Sequence, residues 1–571
     1  MHSRKGKDTV ENDKRFEIDT TSQHDEQTRE GDESGGQDGR VGEVTELRGR
    51  RGGHLLICVL KLKVSFAPSL FFALLPRRPV FCAVQKSPGS TCNAMFMRSH
   101  TLRFLALLYV SLPGLTNALE VDVTKPPYNA KGDGSTDDVA AIQAAVDSLK
   151  DSGGTILLPA PHQFAVSKPI RLYNLNSITL QGGGQHVGSV TTRGASLLSL
   201  TPNSTVLILN QCGHCNVNNL FIGHAITSGD RIPLLDFDQP RINTPRTSRR
   251  TPRTPTIPDH TVERILPTSG CSIIVINSFE AIVERIWFEG VHGAIHMTQF
   301  ANTLTVLDTT IVSAYGPYGI RMAGDSVGAR VDVMQISRLT TNNYVTAQGV
   351  VLGNASIVWI DMGSGANTLR LDNVGLIHGG IGLRLSSEWT NGSSPGVTPG
   401  RPLFVFANDL EIDFPMSNAI QLDQGETVTL SNAYIQGSQT QNGVFINQDF
   451  NSEVQIVNSR IFGHYRSGIV LNGGRHHLIS NCIIGDNSII GVNRSSGILI
   501  TKNVSDFIIS SNTIGPVFKN QEDAQHKYGI EIEQGHSDRF IITSNSLLGN
   551  IAGGLSNGGA GKTTSIGNNL L

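Results

Sequence analysis

Residues 467–472 read SGIVLN, and close relatives of this hexapeptide recur along the chain: YGIRMA at 318–323, IGLRLS at 381–386, NGVFIN at 442–447, SGILIT at 496–501 and YGIEIE at 528–533. Each sets a Gly before a short run in which apolar side chains alternate with variable ones. Alternation with period two is the signature of a strand with one buried face, and the Gly supplies the bend that enters it. The residues that open these runs, Gly293, Gly319, Gly349, Gly382, Ala419, Gly443, Gly468, Gly497, Gly529 and Gly554, are spaced 24 to 37 residues apart. A second series interleaves with the first: Asn373, Asn408, Asn432, Asn458, Asn481, Asn512 and Asn545 each open a short apolar segment such as NAYIQG or NSLLGN.

Repeats of this length, each holding several short strands, indicate stacked coils of parallel strands. Like side chains then stack on like. Ile320, Ile420, Ile469, Ile498 and Ile530 are expected to form one internal column, and the Asn series a ladder at a turn. Only one amphipathic helix interrupts the strands. In KGDGSTDDVAAIQAAVDSLKDSGG, 131–154, Ser135 with Asp138 reads as a capping-box start, Val139, Ile142, Val146 and Leu149 share a face, and Gly153 is the stop. Placed before the first coil, this helix is expected to cap it, since an end coil otherwise exposes its interior and strand edges. Asp133, Asp137 and Asp138 read as turn and cap chemistry at a helix start, or as a metal or acid/base cluster.

Ahead of the coils the composition changes. Residues 1–53 are charged and Gly-rich, as in disordered segments, and 1–94 as a whole is expected to be a disordered or spurious extension. From Met97 the chain reads MRSHTLRFLALLYVSLPGLTNALEVDV, the layout of a secretory signal, which places a signal peptide at 95–118 and a domain at 119–571. Removing the 17 Lys and Arg and 13 Asp and Glu of residues 1–118 from totals of 46 and 48 leaves a mature chain at −6. That charge gives no reason to expect nucleic acid as a partner, and no apolar run calls for a membrane span in the mature form. Sequons at Asn203, Asn354, Asn391, Asn493 and Asn503 suit a secreted, extracellular or cell-wall glycoprotein. Cys212-Gly-His-Cys215 reads either as a redox motif or as a local disulfide or buried thiols. QPRINTPRTSRRTPRTPTIP at 239–258 is a basic Pro/Thr-rich insertion. The chain ends in GNNLL without a second cap, leaving room for an oligomer contact at that end.

The opening NAKGDGSTDDVAAIQAAVDSLKDSGGTILLPA, 129–160, resembles the N-terminal signature of the pectate lyase-like superfamily, in particular its rhamnogalacturonase/epimerase-like group. The resemblance implies an all-β fold, a right-handed parallel β-helix with one N-terminal capping helix, and activity on polysaccharides. Neither the Asn-Thr-Asp, Asp-Asp, Gly-His-Gly and Arg-Ile-Lys series of polygalacturonases nor the Asp-Pro-His-Asp of mannuronan epimerases is present; Pro258-Asp259-His260 lies in the insertion.

A filled interior leaves the outer surface for a polymer. Aligning the Gly-led runs puts His296, Arg321, Arg384, Gln421 and Glu531 in one outward column, with Asp423, Asn447, Asn472 and Glu533 in the next. Arg384 could hold a uronate carboxylate, which in β-elimination acidifies the adjacent carbon, or pair with Asp423. In NDLEIDF, 408–414, Asp409, Glu411 and Asp413 are expected on one exposed face with Leu410, Ile412 and Phe414 on the other. Three carboxylates there fit a Ca²⁺ site, the acid and base of a glycosidase, or a solvated face. His378 and His464 align near Asp413. Trp287, Trp359, Trp389, Tyr315 and Tyr318 could stack on sugars or pack between coils. The catalytic candidates are thus Arg384, Asp409, Glu411 and Asp413, with Arg321, His378, Asp423 and His464 as substrate-binding candidates. The expected substrate is an acidic polysaccharide, cleaved by lyase or hydrolase chemistry; the alternative is a binding protein without catalysis.

Overall fold

Every Gly-led run that falls within the described residues is a strand, and each lies parallel to the corresponding strand of the next coil. The computed structural model describes residues 119–571 apart from 185–193, 202–203, 225–269, 313, 315, 317, 324–330, 343–355, 362–365, 387–403, 502–503 and 518–525. The extension, the signal peptide, the basic insertion, Tyr315, Trp389, Gly349 and the sequons Asn203, Asn354, Asn391 and Asn503 therefore lie outside them. Of the expected glycosylation sites Asn493 is described, exposed in a turn at φ +63°.

Thirteen strands, from Ile170–Tyr173 to Gly553–Gly559, form one sheet whose order follows the chain coil by coil. Ile469 is in register with Ile498, and Ile498 with Ile530. Ile420 joins the same file through Val444, and Ile320 through Val358 and Leu383. All five isoleucines are fully buried, so the expected internal column exists. The coil between Tyr318–Ala323 and Ile381–Ser386 contributes Ser356–Asp361.

The remaining strands make a twenty-two-stranded sheet that turns a corner within each coil. At that corner one residue per coil is left-handed: Asn219, Arg285, Asp308, Arg338, Asn373, Asp409, Asn432, Asn458, Asn481, Ser511, Ser544 and Asn568, with φ from +49° to +61°. Asn and Asp enter this conformation at the least cost among residues with a side chain, which explains the Asn series read in the sequence. That series is nevertheless three files, not one. Asn373, Asn432, Asn458 and Asn481 occupy the corner, and Asn408 precedes it. Asn512 and Asn545 follow it and point inward, where Asn512 Nδ2 donates to Asn545 Oδ1 (3.0 Å) and Asn545 Nδ2 to Asn569 Oδ1 (2.9 Å). A ladder of buried amides satisfies itself only if each coil supplies both donor and acceptor.

The single α-helix among the described residues, Val139–Ser148, buries Ile142, Ala145 and Val146, and Leu149 follows on the same face. Gly153, at φ +67°, donates its N–H to Leu149 O and ends it. The capping box does not form. Asp138 holds the backbone N–H groups of Lys131 and Gly132 at 2.7 and 2.9 Å, while Ser135 bonds to Asp133 within a short strand. Asp137 bonds Ser167, so each of the three aspartates is spent on local backbone or hydroxyl partners. The Gln143 amide both donates to and accepts from the backbone of Arg171 (2.9 Å each), occupying the edge of the first strand of the thirteen-stranded sheet. At the far end Thr564–Gly567 is the last strand, and Ile566 is exposed there.

Candidate functional site

The outer face of the thirteen-stranded sheet carries the file read from the sequence: His296 pairs with Arg321 and Arg384 with Gln421, and the backbone of Trp359 stands in register between Arg321 and Arg384. The early part of this face is covered. His296 is buried, and Ile208, Cys271, Ile274, Ile276 and Tyr318 form a small apolar cluster separate from the core. The Arg321 guanidinium lies 5.7 Å from the centre of the Tyr318 ring, beside this cluster. Tyr318 therefore packs between coils and is withdrawn from any sugar.

Further along the same face Arg384 Nε meets Asp423 Oδ2 at 3.3 Å, both side chains being less than one-fifth exposed. Asp423 also accepts the Gln421 amide at 3.0 and 3.1 Å and the Asn447 amide at 3.2 Å. Gln421 in turn accepts from Asn418, and Asn418 from Asn442. A carboxylate so fully supplied with donors has no lone pair left for a substrate proton.

The other catalytic candidates do not join this patch, because Asp409, Glu411 and Asp413 lie in strand Phe404–Asp413 of the other sheet. Nor do they share one flat face. Asp409 is the left-handed corner residue (φ +51°), so the strand turns between it and Glu411. Leu410 and Ile412 are buried as expected, but Phe414 is exposed at a second corner (φ +48°), where its ring stacks on His378 at 5.8 Å. The left-handed turn reverses the alternation that pairing by twos had assigned to Phe414. His378 donates its backbone N–H to Asp413 O, which places it at the expected neighbouring position. His464 is not at the surface. It is fully buried, accepts the Ser438 N–H at Nδ1 (3.1 Å) and donates from Nε2 to Ile435 O (3.2 Å). Burial pushes its pKa down to about 3. Among the described residues no three His, Cys, Asp or Glu side chains are grouped as a metal site, so the carboxylates of 408–414 do not build a Ca²⁺ cage.

What the fold does build around these carboxylates is a hollow of about 260 Å³, lined by Arg338, Thr340, Asn373, Gly375, Asp409 and Glu411. Gly375 stands opposite Glu411 in register and supplies the floor. A Cβ on Gly375 would lie 3.9 Å from Glu411 Oε2, so that carboxylate leans over the space a side chain would fill. Asp409 and Glu411 are both exposed, and Asn408 Nδ2 steadies Asp409 Oδ2 at 2.9 Å. Arg338, a corner residue, is held by two hydrogen bonds to Asp308, its Nη2 lying 2.8 Å from Oδ2. This pair raises the pKa of Arg338 and lowers that of Asp308. Arg338 and Gly375 went unread in the sequence. The available signals were an Arg where other coils place Asn, and a Gly in mid-strand, which marks a close approach or an open floor.

The four cysteines after residue 118 are buried free thiols; the hydrogen bond between Cys212 and Cys215, together with burial, pushes the Cys212 thiol up, and the same bond holds Cys215 down. Trp287 donates Nε1–H to Glu289 within its own strand at 3.1 Å.

Residues 123–341 match the family model described as rhamnogalacturonase A/epimerase, pectate lyase-like, and residues 401–571 match that of the right-handed β-helix region. Among curated proteins none matches this chain. Among solved structures, the mannuronan C-5 epimerase AlgE6 A-module of Azotobacter vinelandii is 14% identical, with 79% of this chain and 98% of that one covered and a TM-score of 0.44. Tailspike protein 3 of bacteriophage CBA120 is 11% identical, with 85% and 67% covered and a TM-score of 0.47. The surface adhesin PfbA of Streptococcus pneumoniae is 12% identical, with 77% and 93% covered and a TM-score of 0.38. Likeness at this level says nothing about chemistry. On its stacked parallel coils and its two family matches, the chain is a right-handed parallel β-helix protein whose residues 123–341 are pectate lyase-like.

Proposed function

We propose that this is a secreted, polysaccharide-active protein that cleaves glycosidic bonds by hydrolysis, with Asp409 and Glu411 as its carboxylate pair. The observation that carries the reading is the hollow over Gly375, where two exposed carboxylates from one strand flank a cavity floored by backbone. Glycoside hydrolysis needs one carboxyl group to protonate the leaving oxygen and a second to activate water or attack the sugar. Glu411, leaning over the open floor, is assigned the proton donor; Asp409, steadied by Asn408, is assigned the second role. The family match to rhamnogalacturonase-like proteins supports a polysaccharide as the partner.

Lyase chemistry at Arg384 has less support, since that guanidinium already faces Asp423 in a half-buried pair. The test is incubation of the purified chain with a panel of polysaccharides. New reducing ends without the ultraviolet absorbance of unsaturated uronates, lost in Glu411→Gln, are expected. Unsaturated products, or cleavage indifferent to Glu411→Gln, would overturn the assignment. Retention of a glycan without cleavage would leave a binding protein.

A further inference from the structure

The same strand that carries Asp409 and Glu411 begins with Phe-Val-Phe. Val405 and Ala407 are buried, whereas Phe404 and Phe406 are each 41% exposed. Their rings are nearly parallel, 7° apart in plane and 6.4 Å between centres. Two parallel, part-exposed rings of this kind offer apolar surface to the C–H side of a sugar ring. In the adjoining coils the residues in register are Thr368 and Thr427 beside Phe404, and Arg370 and Thr429 beside Phe406. The aromatic surface thus follows one coil and does not continue up the stack. From Phe406 to Glu411 the chain advances five residues around the Asp409 corner, which shortens the roughly 16 Å that about 3.3 Å per residue would give a straight strand and leaves a bent surface a few sugar units long.

Charge decides what kind of sugar. Among the described residues around this strand, Arg285, Arg338 and Arg370 stand against Glu284, Asp308, Asp372, Asp409, Glu411 and Asp413, an excess of three negative charges. Arg338 is already held by Asp308. A uronate carboxylate brought beside any one of the acids would be repelled even in water-like surroundings.

Building on the hydrolase reading above, we infer that strand Phe404–Asp413 is a single glycan track, running across the prism from the Phe404–Phe406 platform to the Gly375 hollow, and that its ligand is a chain of neutral sugars. The track departs from the acidic polysaccharide expected from the sequence, because the cation that expectation relied on, Arg384, faces outward from the other sheet and is paired there.

The test is a glycan array carrying neutral β-glucan, galactan and arabinan oligomers beside uronate-bearing polygalacturonate and alginate oligomers, probed with the full chain. Retention on neutral glycans is expected, changing less than about twofold between low and high salt because no ion pair is involved. The Phe404→Thr/Phe406→Thr variant places at both positions the residue that the following coil carries in register, Thr427 and Thr429, preserving strand preference, and should weaken retention about tenfold. Glu411→Gln should keep retention and lose turnover. Salt-sensitive retention on the uronate glycans, or neutral binding untouched by the double variant, overturns the inference. In the first case cleavage that still depends on Glu411 leaves the hydrolase reading standing; retention of no glycan at all overturns both.

Discussion

Two polar patches face outward from neighbouring parts of this prism, and they are built in opposite ways. Around Asp423, the arginine, glutamine and asparagine side chains of Arg384, Gln421 and Asn447 converge on one carboxylate until its acceptors are filled. Around Gly375 the carboxylates of Asp409 and Glu411 border a cavity that the absence of a side chain keeps open. The first arrangement stabilises the stacking of coils, since the Arg384 and Asn447 bonds to Asp423 join adjacent turns of chain while Gln421 holds that carboxylate from within its own coil. The second leaves hydrogen-bonding capacity directed at solvent, where a ligand can use it. Proximity of charged residues to a groove is therefore a weaker guide to function than how many of their partners are internal.

The sharpest separation of the patches is in turnover. Glu411→Gln is expected to lower the cleavage rate by about 10²–10⁴-fold, the usual contribution of a positioned acid or base, with the denaturant midpoint unmoved. A midpoint shift comparable to that loss would make Glu411 structural and erase the contrast.

The closed extreme lies inside the later coils, where His464, His477 and His526 are buried with both ring nitrogens bonded. Burial lowers their pKa values to about 3, about 4 and about 4, against an ordinary 6.5. The unfolded chain therefore takes up these protons first. The stabilisation is fully present above pH 6.5 and is lost as pH falls through the window from 6.5 toward 4, by up to about 1.4 kcal/mol per pH unit for each histidine. Denaturant titrations across that window should show the loss, reduced in a His526→Gln variant; a flat profile would refute it.

For the filled patch, Asp423→Ala removes the carboxylate on which Arg384, Gln421 and Asn447 converge and is expected to cost about 2–3 kcal/mol, read as a lower unfolding midpoint, with cleavage retained. Lost activity at unchanged stability would instead place Asp423 in the chemistry. The smallest effect tests the hollow. Gly375→Val has room for its Cβ, suits a strand, and should add about 0.5–1 kcal/mol of stability while filling the cavity and blocking turnover. A variant that is more stable and equally active would show that the hollow is not used.

Much of this was legible in one dimension. Period-two alternation after a Gly fixes which residues face inward, and because the coils are parallel the same residue type recurs at each level. For that reason the file Ile320, Ile420, Ile469, Ile498, Ile530 and the outward file through Arg321, Arg384 and Gln421 could be read before any coordinates. The rule fails where the period breaks. Each left-handed corner resets the alternation, which is why Phe414 emerges on the surface and why Asn408, Asn432 and Asn512 belong to different files. His464, two residues beyond strand Arg460–Phe462, was misplaced for the same reason.

The sequence by itself determined that the chain winds into stacked parallel coils, since a repeating strand with one apolar face can bury it only against its own copies. It also determined the candidate acids. Which acids are free and which are spent was decided by the tertiary structure alone: the two bonds that reach Asp423 from other coils join residues 24 and 39 positions apart, and the variable turns between them set the register that makes or denies them.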